Sequence, residues 1–339
     1  AMLDKGMLMS KQETPDRQLE RMGMEWRFES DQCRIRFRGR IMGDCFEAAV
    51  EAWAEQLRYP TFDMEEFARQ KALLAEQLKM EAEDASEGAG TLLLRTLYPP
   101  GHPRHVPELH DCLAFLGRLE VGQVRDYHRK NFGTDGMIIV VIGGLAPERM
   151  ARVFNAHLGT WGAHGRTPHL DRAAHDQTTD YVEKPMDGNG LCSIAMGHGL
   201  PLRHEDADYL PLYAALHMLG GNSSSRLQMT VRNRDGLVYR IGAQLAPPMD
   251  RCDGHWQVSL VQMSDHRYEA MEAARREVHR FVLDGPTETE FAEKMQSIPG
   301  AALVRMANTS EMASALVECL EQGFDVEYLR NSGKYLRNL

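Results

Sequence analysis

The sequence predicts an α+β fold of two homologous domains, residues 1–170 and 171–339, each a mainly antiparallel sheet covered by helices. Three observations predict it. Short motifs recur in the same order, alternating apolar residues fall in runs, and those runs are separated by pairs of helical segments rather than alternating one for one with them.

The recurrence runs through both halves. Met42-Gly43-Asp44 followed by Phe46-Glu47-Ala48 returns as Met263-Ser264-Asp265 followed by Tyr268-Glu269-Ala270, and Glu66-Phe67-Ala68 returns as Glu290-Phe291-Ala292. Arg21-Met22-Gly23 through Arg27 matches Arg234-Asp235-Gly236 through Arg240, and Met2-Leu3 matches Met218-Leu219. The offsets drift only from 213 to 224 residues, as expected of an internal duplication. On that offset the counterpart of Tyr181 lies about 35 residues upstream of Ala1, and the second copy has no counterpart of the segment from Glu120 to His169. The expectation is a first copy shortened at its start and a second shortened at its end. The copies meet in the polar, turn-rich stretch 165–179.

Period-two alternation predicts strands over Cys33 to Arg38, Leu237 to Leu245 and His255 to Val261. Helical spacing covers Phe62 to Asp84, Val124 to Asn131, Asp206 to Met218, Tyr268 to Leu283 and Thr287 to Ser297. Met137 to Ala146 is the longest apolar run; it is half the length of a membrane span and is expected to be a buried strand. Arg34, Arg36, Arg38 and Arg40 share one strand face, expected to be solvated or salt-bridged rather than a substrate site.

The chain has 39 Lys and Arg against 49 Asp and Glu, a net charge of −10, which argues against a nucleic-acid groove or a basic membrane-docking surface. Its hydrophobic fraction of 43% excludes intrinsic disorder as the main state. The six cysteines lack any C-x-x-C pair, so neither a disulfide framework nor a zinc knuckle is expected.

Candidate chemistry is sparse. An inverted zinc-peptidase motif H-x-x-E-H places two imidazoles and a carboxylate on one helix face. It occurs nowhere in these residues. His105, Glu108 and His110 imitate it with the wrong spacing and an intervening proline, and they read with His102 as a polar loop with spare histidines. Gly220-Gly221-Asn222-Ser223-Ser224-Ser225-Arg226 lacks the marks of a P-loop or a nucleophile elbow. A glycine turn with a serine N-cap opening a helix from Ser225 to Asn233 explains it.

Two stretches then carry a resemblance. Leu219 to Leu227 followed by Val231-Arg232-Asn233-Arg234-Asp235-Gly236-Leu237-Val238-Tyr239 resembles the pitrilysin/insulinase family of zinc peptidases in its second domain. Tyr59-Pro60-Thr61-Phe62, Gly101-His102-Pro103, Asn131-Phe132-Gly133 and Met137 to Gly144 are similar to its first domain. The resemblance implies half of a clamshell chamber enclosing unfolded peptides, in the branch where two half-length subunits pair.

It also implies what this chain brings. Ala1 falls where the second zinc-binding histidine would stand, and Gln77 where the family's glutamate ligand would stand; a slip of one residue would put Glu76 there. Neither alanine nor glutamine is a zinc ligand of the usual kind. Arg232 and Tyr239 match a pair that in active members reaches the zinc site from the second domain. The expectation is a subunit that binds no zinc itself, pairs with a zinc-binding subunit, binds peptide and supplies Arg232 and Tyr239. Two alternatives stand beside it: an active zinc endopeptidase whose H-x-x-E-H lies upstream of Ala1, and a purely structural subunit. No membrane span and no nucleic-acid partner are expected, and the setting expected is a bacterial cytoplasm or periplasm.

Overall fold

The computed structural model describes residues 3, 23–31, 33–162, 171–175, 181–185, 190–248 and 252–337. In chain order the elements are β1 (Glu25–Ser30), β2 (Ile35–Arg40), α1 (Phe46–Arg58), α2 (Met64–Glu83), α3 (Gly88–Leu97), α4 (Leu109–Arg118), α5 (Val121–Asn131), α6 (Pro147–Leu158), β3 (Leu191–Leu200), α7 (Tyr209–Gly220), a π-helix (Gln228–Arg234), β4 (Arg240–Ala246), β5 (Gly254–Met263), α8 (Arg267–Asp284), α9 (Glu288–Met306), α10 (Thr309–Glu321) and α11 (Val326–Arg337). They fall into two compact units: Ala1–Glu76 with His110–Pro168 and Val304–Leu329, and Gln77–Leu109 with His169–Leu303 and Arg330–Leu339.

In the first unit β1 and β2 form an antiparallel pair with Phe28 opposite Phe37. The Asp31 carboxylate accepts from the backbone amides of Cys33 and Arg34, both at 2.8 Å, and so fixes the hairpin turn. Helix α1 buries Phe46, Ala49, Val50, Trp53, Ala54 and Leu57, the three-and-four spacing of one helical face. Trp53 stacks on Phe37 with ring centroids 4.9 Å apart, which joins that face to the hairpin. Three of the four strand arginines are salt-bridged: Arg34 and Arg36 reach Glu321 of α10 at 3.2 and 2.9 Å, and Arg38 reaches Glu29 at 3.5 Å.

In the second unit the strands lie in the order β3-β5-β4, all antiparallel, with Leu191 opposite Met263 and Arg240 opposite Val261. One core joins Leu219 of α7, Leu227 and Val231 at the π-helix, Ile241, Val258 and Leu260 of the sheet, Ala270 and Ala274 of α8, and Met295 and Ile298 of α9. The alanines on α8 bring that helix close to its neighbours, where larger side chains would not fit.

The same succession occurs twice: two strands, a 3₁₀ turn and two helices, over β1 to α2 and over β4 to α9. The residue before each 3₁₀ turn has nearly the same backbone, Met42 at φ −74° and ψ 140° and Met263 at φ −69° and ψ 144°.

The apolar run at Met137 differs from expectation. Residues 137–142 form no strand, and Ile138, Ile139 and Val141 are exposed. High β-propensity places a residue in a sheet only where another strand offers its backbone, and among the described residues none pairs with this segment. Met137 packs instead against the cluster around Trp53. No helix among the described residues is long and apolar enough to cross a membrane.

Candidate functional site

The Arg232 and Tyr239 stretch begins where α7 ends on the sheet. A Cβ at Gly220 would lie 2.1 Å from the Ala243 amide nitrogen, so only glycine lets the helix end lie against β4. Gly221 has an ordinary right-handed φ of −78°, and its Cβ would come within 2.7 Å of His217. These glycines therefore serve close packing rather than the turn conformation that the sequence suggested.

The following serines are structural. Asn222 Oδ1 accepts from the Ser224 amide and hydroxyl, both at 3.1 Å, and from the buried Lys294 amine, which also donates to Ser224 Oγ at 2.8 Å. Burial pushes the Lys294 amine below its usual range. Ser225 is fully buried and donates its hydroxyl back to the Asn222 carbonyl at 2.6 Å, away from the helix that follows.

Arg226 donates through Nε to Glu290 at 2.8 Å and through Nη2 to the Gly285 carbonyl at 3.0 Å, and lies 4.6 Å over the Phe281 ring. The guanidinium holds the Glu290 carboxyl down to about 2. This pair fixes the start of the helical segment to α8 and α9.

The expected helix to Asn233 is a π-helix from Gln228 to Arg234. Its wider turn is seen in the bond from the Asp235 amide to the Thr230 carbonyl five residues back, 2.9 Å. Leu227 and Val231 point into the core, while Arg232 faces outward. Gly236 then takes a left-handed φ of +67°, and the chain enters β4. The Tyr239 side chain is 59% exposed, and its backbone amide donates to Val261 at 2.9 Å.

Gln228 links Arg232 to β4, the strand that follows Tyr239. Its Oε1 accepts from Arg232 Nη1 at 3.2 Å, and its Nε2 donates to the Ile241 carbonyl, two residues past Tyr239. Arg232 keeps its other donors facing outward, suited to a carboxylate or carbonyl, and the Tyr239 hydroxyl has no partner among the described residues. No sequence signal marked Gln228 or Lys294. Arg226 and Glu290 both lay in the quoted motifs, but their pairing across 64 residues was not readable from them.

Of the zinc-equivalent positions, Ala1 lies outside the described residues. Gln77 is exposed on α2 and donates to Glu81 at 2.7 Å; it forms no hydrogen bond with Arg232 or Tyr239. Among the described residues no group of three or more His, Cys, Asp or Glu could hold a metal ion. The histidine loop is also resolved. Glu108 pairs with Arg95 at 2.8 Å, and His105 Nδ1 meets the Tyr98 carbonyl at 2.7 Å. His102 is not a spare loop residue: it is buried and stacks on Tyr98 at 4.1 Å, with His255 Nδ1 meeting the Tyr98 hydroxyl at 2.8 Å.

Comparison with known proteins agrees with this architecture. The family model for the peptidase M16 inactive domain matches residues 118–298. An uncharacterized zinc protease of Bacillus subtilis is 22% identical over 81% of this chain, and one of Mycobacterium bovis is 19% identical over 81%. The chain spans 65% and 62% of the length of those relatives. Among solved structures, a peptidase M16 inactive domain from Pseudomonas fluorescens superposes with a TM-score of 0.81 over 100% of this chain and 80% of its own, at 17% identity. A protease from Helicobacter pylori gives 0.81 over 100% and 82%, at 16% identity.

Proposed function

The chain belongs to the peptidase M16 inactive-domain family, and from that premise we propose that it is a subunit of a zinc endopeptidase that binds unfolded peptide and presents Arg232 and Tyr239 to the zinc site of a paired H-x-x-E-H subunit. The observation that carries this reading is the exposure of both side chains on a segment that is otherwise tightly held. Arg226 with Glu290, Lys294 with Asn222, and Gly220 against β4 all fix the backbone that bears them. A guanidinium and a phenol left outward on such a support are preorganised for a ligand, because little ordering remains to be done on binding.

The chemistry of each group suits peptide hydrolysis. Arg232 holds a carboxylate or main-chain carbonyl of the bound peptide through charge-assisted hydrogen bonds. Tyr239 donates its hydroxyl to the oxyanion that forms at the scissile carbonyl, a contact stronger in the transition state than in the ground state. In this reading the zinc belongs to the paired subunit.

A second reading rests on the relatives, which are named zinc proteases and match this chain over 65% and 62% of their length. In that reading the H-x-x-E-H motif stands upstream of Ala1 and the protein is itself the peptidase. Zinc content and cleavage of a quenched unfolded peptide separate the two. They are measured for the natural full-length protein alone and mixed with an H-x-x-E-H subunit of the same family from the same genome. Activity and stoichiometric zinc in the lone protein support the second reading, activity only in the mixture supports the first, and silence in both leaves a structural role.

A further inference from the structure

We propose that Gln228 is a positioning residue that holds the Arg232 guanidinium in a fixed orientation relative to the Tyr239 strand; the assignment of a purpose to that orientation rests on the functional reading above. The two ends of one carboxamide are used on two different elements. Oε1 accepts from Arg232 Nη1 at 3.2 Å, and Nε2 donates to the Ile241 carbonyl of β4. An exposed arginine ordinarily samples many rotamers, and nothing else among the described residues engages the Arg232 side chain.

Residues four apart on one helical segment are neighbours, and this contact uses that spacing. Gln228 and Arg232 are four apart within the π-helix, and the half-buried Gln228 sits between the outward arginine and the strand. A carboxamide is suited to this place because it offers an acceptor to the guanidinium and a donor to a main-chain carbonyl at once. A leucine or methionine of similar size would fill the space and offer neither. Arg226, two residues before Gln228, is itself bonded to Glu290 and the Gly285 carbonyl, so the segment is held at a second point.

The test uses the natural full-length protein with Gln228→Met, which keeps the volume and removes both bonds, and Gln228→Glu, which keeps an acceptor for Arg232. The first readout is ¹⁵N relaxation of the Arg232 Nε–Hε group, assigned by its disappearance in Arg232→Lys. Arg232 is expected to be ordered in the parent, mobile in Gln228→Met and between the two in Gln228→Glu, which loses the anchor at Ile241, with all variants checked for cooperative melting. An Arg232 that is already mobile in the parent, or equally ordered in Gln228→Met, overturns the proposal.

The second readout is kcat/KM on the quenched unfolded peptide, in whichever preparation cleaves it. Gln228→Met is expected to lower it about tenfold, the scale of one charge-assisted hydrogen bond. The loss is expected to vanish in an Arg232→Ala background, since the two residues act as one unit. If the two losses simply add, Gln228 acts by another route and the proposal falls. If Arg232→Ala leaves cleavage unchanged while the relaxation result holds, the functional reading fails and the contact stands.

Discussion

Arg226 and Glu290 are joined through both Nε and Nη2 of the guanidinium, and the Glu290 carboxylate also accepts from the Thr287 amide at 2.7 Å. The pair ties the segment carrying Arg232 to the start of α9. With the carboxyl held down to about 2, Glu290 is ionised in the folded state at pH values where an unfolded glutamate is protonated. A depressed carboxyl pKa adds stability that is present above about pH 4.5 and lost as pH falls toward 2. Glu290→Gln should therefore cost roughly 2 kcal/mol at pH 7, discounted for the partial exposure of the pair, and much less at pH 2.5. Urea midpoints at the two pH values check this; an equal cost at both would show that the charge is not what stabilises.

His102 and His255 point to a second pH effect. Burial, with the nearby Arg104 charge adding to it, holds both imidazoles down to about 4. The unfolded chain then binds more protons than the folded one between about pH 6.5 and 4, so stability falls as pH drops through that window. The loss should be on the order of 1 to 2 kcal/mol per histidine by pH 4.5. Melting curves from pH 7 to 4.5 measure the slope, and His255→Gln should reduce it. An unchanged slope would place the titration elsewhere.

Two glycines should respond oppositely to alanine. At Gly220 the added methyl meets the Ala243 backbone at 2.1 Å, and Gly220→Ala should cost about 3 kcal/mol. At Gly300, inside α9, a Cβ meets nothing within 4 Å, and Gly300→Ala should stabilise by about 0.5 to 1 kcal/mol. Thermal melts of the two variants decide the matter, and a tolerant Gly220 would mean that α7 does not rest on β4 as described.

Glu321 should matter more than the strand arginines it receives. Its side chain is only 9% exposed and accepts from Arg34 and Arg36, whereas Arg38 is 38% exposed. Glu321→Ala removes the acceptor of Arg34 and one of the two acceptors of Arg36, which keeps Asp31 at 3.0 Å, and should cost about 1 to 2 kcal/mol. Arg38→Ala should change stability by less than about 0.5 kcal/mol. Equal effects in chemical denaturation would contradict this ranking.

What the sequence disclosed and what it hid have physical causes. Helix α8 was legible because its apolar residues return every three or four positions and the core takes that one face. The salt-bridged fate of Arg34, Arg36 and Arg38 was legible in kind, since exposed strand arginines seek carboxylates, but Glu321 lies 285 residues from Arg36. The segment at Met137 was misread because a strand is a pairing, and pairing is not written in one segment's composition. His102 looked like a loop residue by its prolines, yet the Tyr98 ring gives it a buried face to stack on. Arg232 and Tyr239 were found through family likeness, whereas the π-helix that turns Arg232 outward and the Gln228 bridge left no trace in residue spacing.

The central claim is that Arg232 and Tyr239 serve peptide hydrolysis, and the most direct measurement is kcat/KM on a quenched unfolded peptide for Arg232→Ala and Tyr239→Phe, in the mixture with the H-x-x-E-H subunit. Both substitutions are at exposed positions and should leave the melting temperature and the zinc content of the mixture unchanged. The account predicts a loss of about 100-fold or more for each, the scale of removing one oxyanion or substrate-holding donor. Cleavage by both variants at the parent rate would contradict it.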